Sequence, residues 1–201
     1  MTPPGGSVIL SRRIPRSRLL MVPDAGHNLP IEMPTLFAAT VSAFLAGLAE
    51  DLTKRVRPVL RLAFTGLAAA AAFWFIDAAI ARTSIPGLDT LVSYPAGSLL
   101  VTVFVVAGMA NAVNIIDGFN GLASMCSLMM LLSITYVAFH VGDPLIGWLA
   151  LAGAGAVLGF FVLNFPAGLI FLGDGGAYFL GFLVAELSIL LLARNPAVLR
   201  E

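Results

Sequence analysis

Apolar residues in this chain fall in long, nearly unbroken runs. Neither the period-2 alternation of a half-buried strand nor the one-sided stripe of a water-facing helix dominates. An α-helix needs about 20 apolar residues to cross a hydrocarbon core about 30 Å thick. On that template six spans are predicted, near residues 33–49, 59–80, 95–116, 121–141, 144–163 and 176–193, the first being the shortest. The third and fifth, YPAGSLLVTVFVVAGMANAVNII and PLIGWLALAGAGAVLGFFVLN, carry Gly and Ala at positions suited to close helix contact. Residues 1–30 hold Arg12, Arg13, Arg16 and Arg18 among prolines and glycines, which predicts a basic, irregular segment ahead of a multi-span domain over 31–201.

Composition points the same way. Of 201 residues, 59% are hydrophobic and only 11% charged, against roughly 45–50% and about 25% in soluble domains. Too few polar side chains remain to cover a water-soluble globule, so the expected class is an all-α polytopic membrane protein with about six transmembrane helices. Lys plus Arg equals Asp plus Glu at 11 each, and a balanced charge gives no reason to expect a nucleic-acid partner. Cys126 is the single cysteine, so an internal disulfide is excluded and it reads as a small apolar core residue. The arginines of the first 20 residues are not followed by an apolar stretch of the kind a cleavable signal peptide needs.

Orientation follows from the basic residues. The segment EDLTKRVRPVLR between spans one and two carries Lys54, Arg55, Arg57 and Arg61, whereas the next loop has only Arg82. The first loop is therefore expected in the cytoplasm, and alternation puts the loops near 117–120 and 164–175 there too. The basic tail then falls outside, against the rule. Glu50, Asp51, Asp117 and Asp174 all land at cytoplasmic helix ends. Carboxylates from three separate loops on one membrane face suit a divalent cation with phosphate, because magnesium takes hard oxygen ligands and usually binds through one or two carboxylates plus substrate phosphates.

Three stretches carry the chemistry. In NAVNIIDGFNGLAS, Asn111, Asn114 and Asp117 are spaced i, i+3, i+6, which keeps them on one helix face. Such groups are costly against lipid and should face protein or a wet cavity. The plainer alternative is a polar helix end with Asn120 capping the following span. In LNFPAGLIFLGDGGAYFLGF, Asp174 precedes two glycines and a new helix; it offers either a metal ligand beside a phosphate-favouring helix N-terminus or a simple N-cap. Glu50 and Asp51 close span one. Adjacent acids there can be merely solvated, and only one of the two can face a shared site. Asp143 before Pro144 predicts an N-cap on the outer face. Glu186, about ten residues into span six, is too deep to join the acids at the boundary, and a partner on another helix is expected for it. His27 and His140 lack metal-ligand spacing.

Together these motifs resemble the polyprenyl-phosphate N-acetylhexosamine-1-phosphate transferases, the glycosyltransferase family 4 enzymes that include phospho-MurNAc-pentapeptide translocase and the undecaprenyl-phosphate GlcNAc-1-phosphate transferases. FLAGLAEDLTKRVRP looks like the family's acidic loop, NAVNIIDGFNGLA like its central signature and FPAGLIFLGDGGAYFLGF like its metal-binding loop, over roughly Phe44 to Pro196. The IIDGFNGLA wording is closer to the O-antigen initiating transferases than to the peptidoglycan enzyme.

The resemblance implies an enzyme in the bacterial cytoplasmic membrane. There a polyprenyl phosphate, undecaprenyl phosphate in bacteria, attacks the β-phosphorus of a UDP-N-acetylhexosamine and releases UMP. It further implies magnesium as cofactor, with Asp174 as ligand and Asp117 beside the metal and phosphates. Glu50, Asp51 and Asp117 become candidate catalytic residues, and Asn111, Asn114, Asn164 and Gly175 candidate substrate-binding residues. Glu50 stands where the family's pair usually has Asp, and Asn120 where its signature often has a second Asp. Relative to the family pattern, the chain is expected to be the middle part of a larger enzyme whose further helices and His-x-His loop lie elsewhere. Oligomeric state stays open, a homodimer included. Two other readings are an inactive truncated family member, and a transporter with intramembrane acids, which would place acids near the midplane and show an internal repeat.

Overall fold

The computed structural model describes residues 34–53 and 58–196. The expected basic segment 1–30, the side chain of Glu50, and Lys54, Arg55 and Arg57 lie outside the described residues. Every regular element among the described residues is a helix, and no strand occurs among them. In order they are α1 (Pro34–Thr53), α2 (Pro58–Phe75), a short α3 (Leu88–Val92), α4 (Pro95–Ile116), α5 (Leu122–His140), α6 (Pro144–Asn164) and α7 (Gly173–Arg194). Proline opens α1, α2, α4 and α6, where its fixed φ suits the first turn and its missing N–H leaves nothing unpaired.

Helices α4, α5, α6 and α7 are each long and apolar enough to cross a membrane, whereas α1 and α2 contribute the shorter apolar stretches Ala38–Ala49 and Val59–Phe75. Six expected spans thus become four of crossing length plus two shorter apolar helices. The bilayer-facing exterior is as apolar as that assignment requires, with Leu100, Phe104, Met129, Tyr136 and Val162 all exposed. In water such a surface would drive aggregation; lipid tails solvate it.

The largest departure from the sequence reading is at span two. Helix α2 stops at Phe75, not near residue 80, and the chain continues without helix to α3. Asp77 takes a positive φ of 54°, and the backbone of Ile80 then bonds to side chains of α4. Its N–H donates to Thr102 Oγ1 at 3.0 Å and its carbonyl accepts from Ser98 Oγ at 2.8 Å. Two hydroxyls on α4 thus replace the helical partners that the segment loses. Asp89, in α3, fastens the same connection by accepting from the N–H groups of Thr83 and Ser84 and from the Thr83 hydroxyl. The hydrogen bonds from Thr83 hold its carboxyl below the usual value, with burial opposing and Ser84 and Arg82 adding to the effect.

Helix α7 is the centre of the bundle. In its most apolar stretch 67% is buried, against 28% for α4 and for α6, and it packs against α1, α2, α4, α5 and α6. Glycines set the closest approaches: Gly47 of α1 lies against the backbone of Asp174 and Gly175, and Gly181 of α7 against that of Met109 and Ala110 in α4. At the far end from the acidic cluster, the expected N-cap role of Asp143 is present, its Oδ1 accepting from Ile146 N at 3.3 Å. Arg194 and Asn195 also donate to it, tying the end of α7 to the start of α6. Burial works to raise this carboxyl, but the bonds from Arg194, Asn195 and Ile146 outweigh it and hold the group below its ordinary value. Glu186 is fully buried on α7, and neither of its oxygens has a hydrogen-bond partner. The partner expected on another helix is therefore not found among the described residues.

Candidate active site

One end of the bundle gathers the polar motifs. There the C-terminal ends of α1, α4 and α6 meet the N-terminal ends of α2, α5 and α7, as the shared membrane face inferred from the basic loop requires. Asp51, near the end of α1, sends its carboxylate to the first turn of α7. Oδ1 accepts from the N–H of Asp174 and Oδ2 from the N–H of Gly175, both at 2.9 Å. These amides have no partner within their own helix, and a carboxylate at a helix N-terminus also meets the positive end of the dipole. Asp174 is therefore not an N-cap. It lies inside the helix, and the capping carboxylate comes from α1.

The Asp174 side chain points back into the cluster. Asn114 Nδ2 donates to its Oδ1 at 2.7 Å, and Arg61 Nη1 makes an ion pair with its Oδ2. Arg61 stands in the first turns of α2, with its guanidinium carbon 5.6 Å from the centre of the Tyr178 ring. Tyr178, one turn beyond Asp174, donates its hydroxyl to Asn111 Oδ1 at 3.3 Å. Asn111 and Asn114 thus turn one common face of α4 toward α7, as their spacing requires.

Asp117 caps the C-terminal end of α4, and no hydrogen bond to its carboxylate occurs among the described residues. Partial burial, then the negative charges of Asp174 and Asp51, push its carboxyl up to about 6. The unfolded chain ionises near 3.8, so between about pH 4 and pH 6 the folded state binds more protons than the unfolded one and stability falls as pH rises. Asp117→Asn should accordingly raise the thermal unfolding temperature of detergent-solubilised protein at pH 7.5, with the gain shrinking to nothing near pH 4. A gain that is the same at both pH values would contradict a raised carboxyl.

Asn164 and Gly175, both expected to bind substrate, are engaged with the protein itself. Asn164 is buried at the end of α6; its Oδ1 accepts from Gly121 N at 2.5 Å and its Nδ2 donates to Ile170 O at 2.8 Å. It joins the turn after Asp117 to the loop before Asp174. Gly175 spends its N–H on Asp51 and packs close to the backbone of Leu48. Asn120 does not cap α5, since Gly121, at a φ of 82°, takes the N-cap position. Asn120 Nδ2 reaches Pro166 O instead, at 3.4 Å. The structure adds Arg61, Tyr178 and Gly47 to the cluster. In the sequence Arg61 is one of several basic residues that can set topology or meet phosphates, and Tyr178 falls within the apolar span 176–193.

Among the described residues, three carboxylates (Asp51, Asp117, Asp174) and one guanidinium (Arg61) gather here, an excess of two negative charges. No three acidic, histidine or cysteine side chains among the described residues form a ready cage for a metal.

A family model, glycosyl transferase family 4, matches residues 33–192. The chain belongs to glycosyl transferase family 4. Within the family it is similar to the phospho-N-acetylmuramoyl-pentapeptide-transferase of Geobacillus sp. (strain WCH70), with 29% identity over 94% of this chain and 61% of that protein. The protein of that name from Clostridium perfringens is 31% identical over 75% of this chain and 46% of its own length. A protein of Bacillus subtilis named "Probable undecaprenyl-phosphate N-acetylglucosaminyl 1-phosphate transferase" is 41% identical over 45% of this chain and 25% of its own. The chain thus spans between about a quarter and three fifths of the length of these family members.

Proposed function

We propose that this chain carries the acidic catalytic centre of a polyprenyl-phosphate sugar-1-phosphate transferase in the bacterial inner membrane. The reaction moves GlcNAc-1-phosphate, or a related N-acetylhexosamine 1-phosphate, from a UDP-sugar to undecaprenyl phosphate at the cytoplasmic face. UMP leaves, and the lipid-linked sugar starts a cell-envelope glycan such as O-antigen or cell-wall polymer. The observation that carries this reading is the meeting of Asp51, Asn114, Asp117, Arg61 and Asp174 at one end of a bundle whose sides are apolar.

The lipid substrate supplies its own nucleophile, so the protein's task is alignment and charge neutralisation. Asp51 fixes the start of α7 and hence the position of Asp174. Asn114 holds one Asp174 oxygen and fixes the carboxylate's rotation. Arg61 brings positive charge to where phosphates would enter. Asn111, held by Tyr178, keeps its amide N–H group available for a phosphate or nucleotide oxygen. Asn164 keeps the Asp117 turn beside the Asp174 loop, and the exposed turn at Gly118 leaves room for a nucleotide. The donor set suits magnesium, which binds through one or two carboxylates completed by substrate phosphates: among the described residues it offers hard carboxylate oxygens with an uncompensated charge of two. Asp117 and Asp174 would hold it, and when bound it would stabilise charge on the transferring phosphoryl group. Glu50 would assist at the lipid phosphate.

The test supplies UDP-GlcNAc, undecaprenyl phosphate and magnesium to membranes carrying the full-length gene product. UMP release is expected to fall by roughly 10²–10³-fold in Asp174→Asn. Release that is absent, or the same in that variant, overturns the reading.

A further inference from the structure

Each oxygen of Asp174 already has one partner. Asn114 holds Oδ1, and the Arg61 guanidinium holds Oδ2. A hydrogen bond from a neutral amide can persist when a carboxylate also binds a cation through its other oxygen. A guanidinium seated on that other oxygen opposes it, because two positive charges sharing one oxygen repel each other. Arg61 is the only described cation in the cluster, and its side chain is 13% exposed against 29% for Asp174. Its environment leaves it under-committed elsewhere: Nε is buried without a hydrogen-bond partner, and the Tyr178 ring supports the guanidinium from one side. The group is therefore positioned by a ring face and a single carboxylate oxygen, not by a closed set of bonds.

We propose that Arg61 is an internal counter-ion that competes with the divalent cation for Asp174 Oδ2 and gives that oxygen up when the cation and a phosphate-bearing ligand bind together. This rests on the magnesium reading above. The physical consequence is a coupling. While Arg61 sits on Asp174, a cation arriving alone meets a carboxylate whose charge a partly buried guanidinium already neutralises, and displacing that guanidinium leaves it short of a partner. If a diphosphate arrives as well, the released guanidinium acquires a new anionic partner with bidentate geometry. Arg61 thus makes cation binding weak without nucleotide and stronger with it. The occupant of the released guanidinium is any diphosphate oxyanion, and free nucleotide diphosphate serves as the probe.

The experiment measures Mn²⁺ binding by electron paramagnetic resonance of the free ion, using detergent-solubilised full-length protein with and without UDP. Removing the competitor in Arg61→Met should strengthen Mn²⁺ binding without UDP on the order of tenfold and remove most of the enhancement that UDP produces in wild type. Arg61→Gln, which keeps a polar head in the same space, carries the same expectation and covers the case in which the methionine variant does not fold. Unchanged or weaker Mn²⁺ binding in the folded variant, with binding lost in Asp174→Asn, would overturn the counter-ion role and leave the metal reading intact. Absence of Mn²⁺ binding in wild type and in both Arg61 variants, with UDP present, would overturn the metal reading itself.

Discussion

Asp51→Ala is expected to lower turnover by about 100-fold and, in the same preparation, to lower folding stability by about 1–2 kcal/mol. The two losses have one origin. Asp51 is on α1 and the amides it serves are on α7, so the carboxylate both satisfies two otherwise unpaired N–H groups and fixes the start of the helix that carries Asp174. Without it the first turn of α7 is free to fray, and Asp174 no longer meets Asn114 and Arg61 in register. The loss of stability is small because Asp51 is solvent-exposed and water can replace part of what is lost. Asp51→Asn should lie between alanine and wild type, since its single carbonyl oxygen can serve one amide while its NH₂ group opposes the other.

That pairing of effects separates two roles. A residue that only orients or deprotonates the lipid phosphate would lose turnover on substitution with an unchanged unfolding temperature. A residue that positions α7 must lose both. Measuring UMP release and thermal unfolding on each variant decides between them. A wild-type unfolding temperature in Asp51→Ala would remove the positioning role even if activity vanished.

Much of this arrangement is legible without coordinates, for identifiable reasons. The apolar runs fix element type because lipid tolerates only fully hydrogen-bonded segments, and α4, α5 and α6 begin and end within one residue of the expected bounds. Helix α2 is the exception. Its apolar pattern continues past Phe75, but Thr102 and Ser98 on α4 offer the backbone of Ile80 a competing set of partners, and a tertiary choice of this kind leaves no local trace. The face shared by Asn111, Asn114 and Asp117 follows from helical period alone. The ion pair between Arg61 and Asp174 joins residues 113 apart in sequence, and nothing in the basic loop's sequence shows that this arginine turns inward. Likewise, an Asp followed by two glycines is the pattern of a local cap. That the cap is delivered by another helix depends on how closely α1 approaches, which Gly47 decides.

Close approach is also the basis of the second large effect. A Cβ built on Gly181 would lie 2.5 Å from Ala110 Cα and 2.8 Å from Met109 O. Both are backbone atoms of α4, so no side-chain rotation relieves the clash and the helices must separate. Ala177 and Gly181 together form the small-xxx-small ridge that permits the contact, and the point of contact is one residue from Asn111. Gly181→Ala should therefore destabilise the solubilised protein by about 3 kcal/mol, at the upper end of what overpacking costs. It should also reduce turnover by spreading the α4 and α7 ends that hold Asn114 against Asp174. Gly108→Ala supplies the contrast. It too is a helical glycine, on α4, yet an added Cβ there meets nothing within 4 Å, so only the helix-propensity gain of about 0.5–1 kcal/mol remains. The same chemical change is thus expected to raise the unfolding temperature at Gly108 and to lower it at Gly181. Equal shifts in thermal unfolding for the two variants would mean that α4 and α7 do not touch through their backbones, and the route from helix packing to the geometry of Asp174 would go with it.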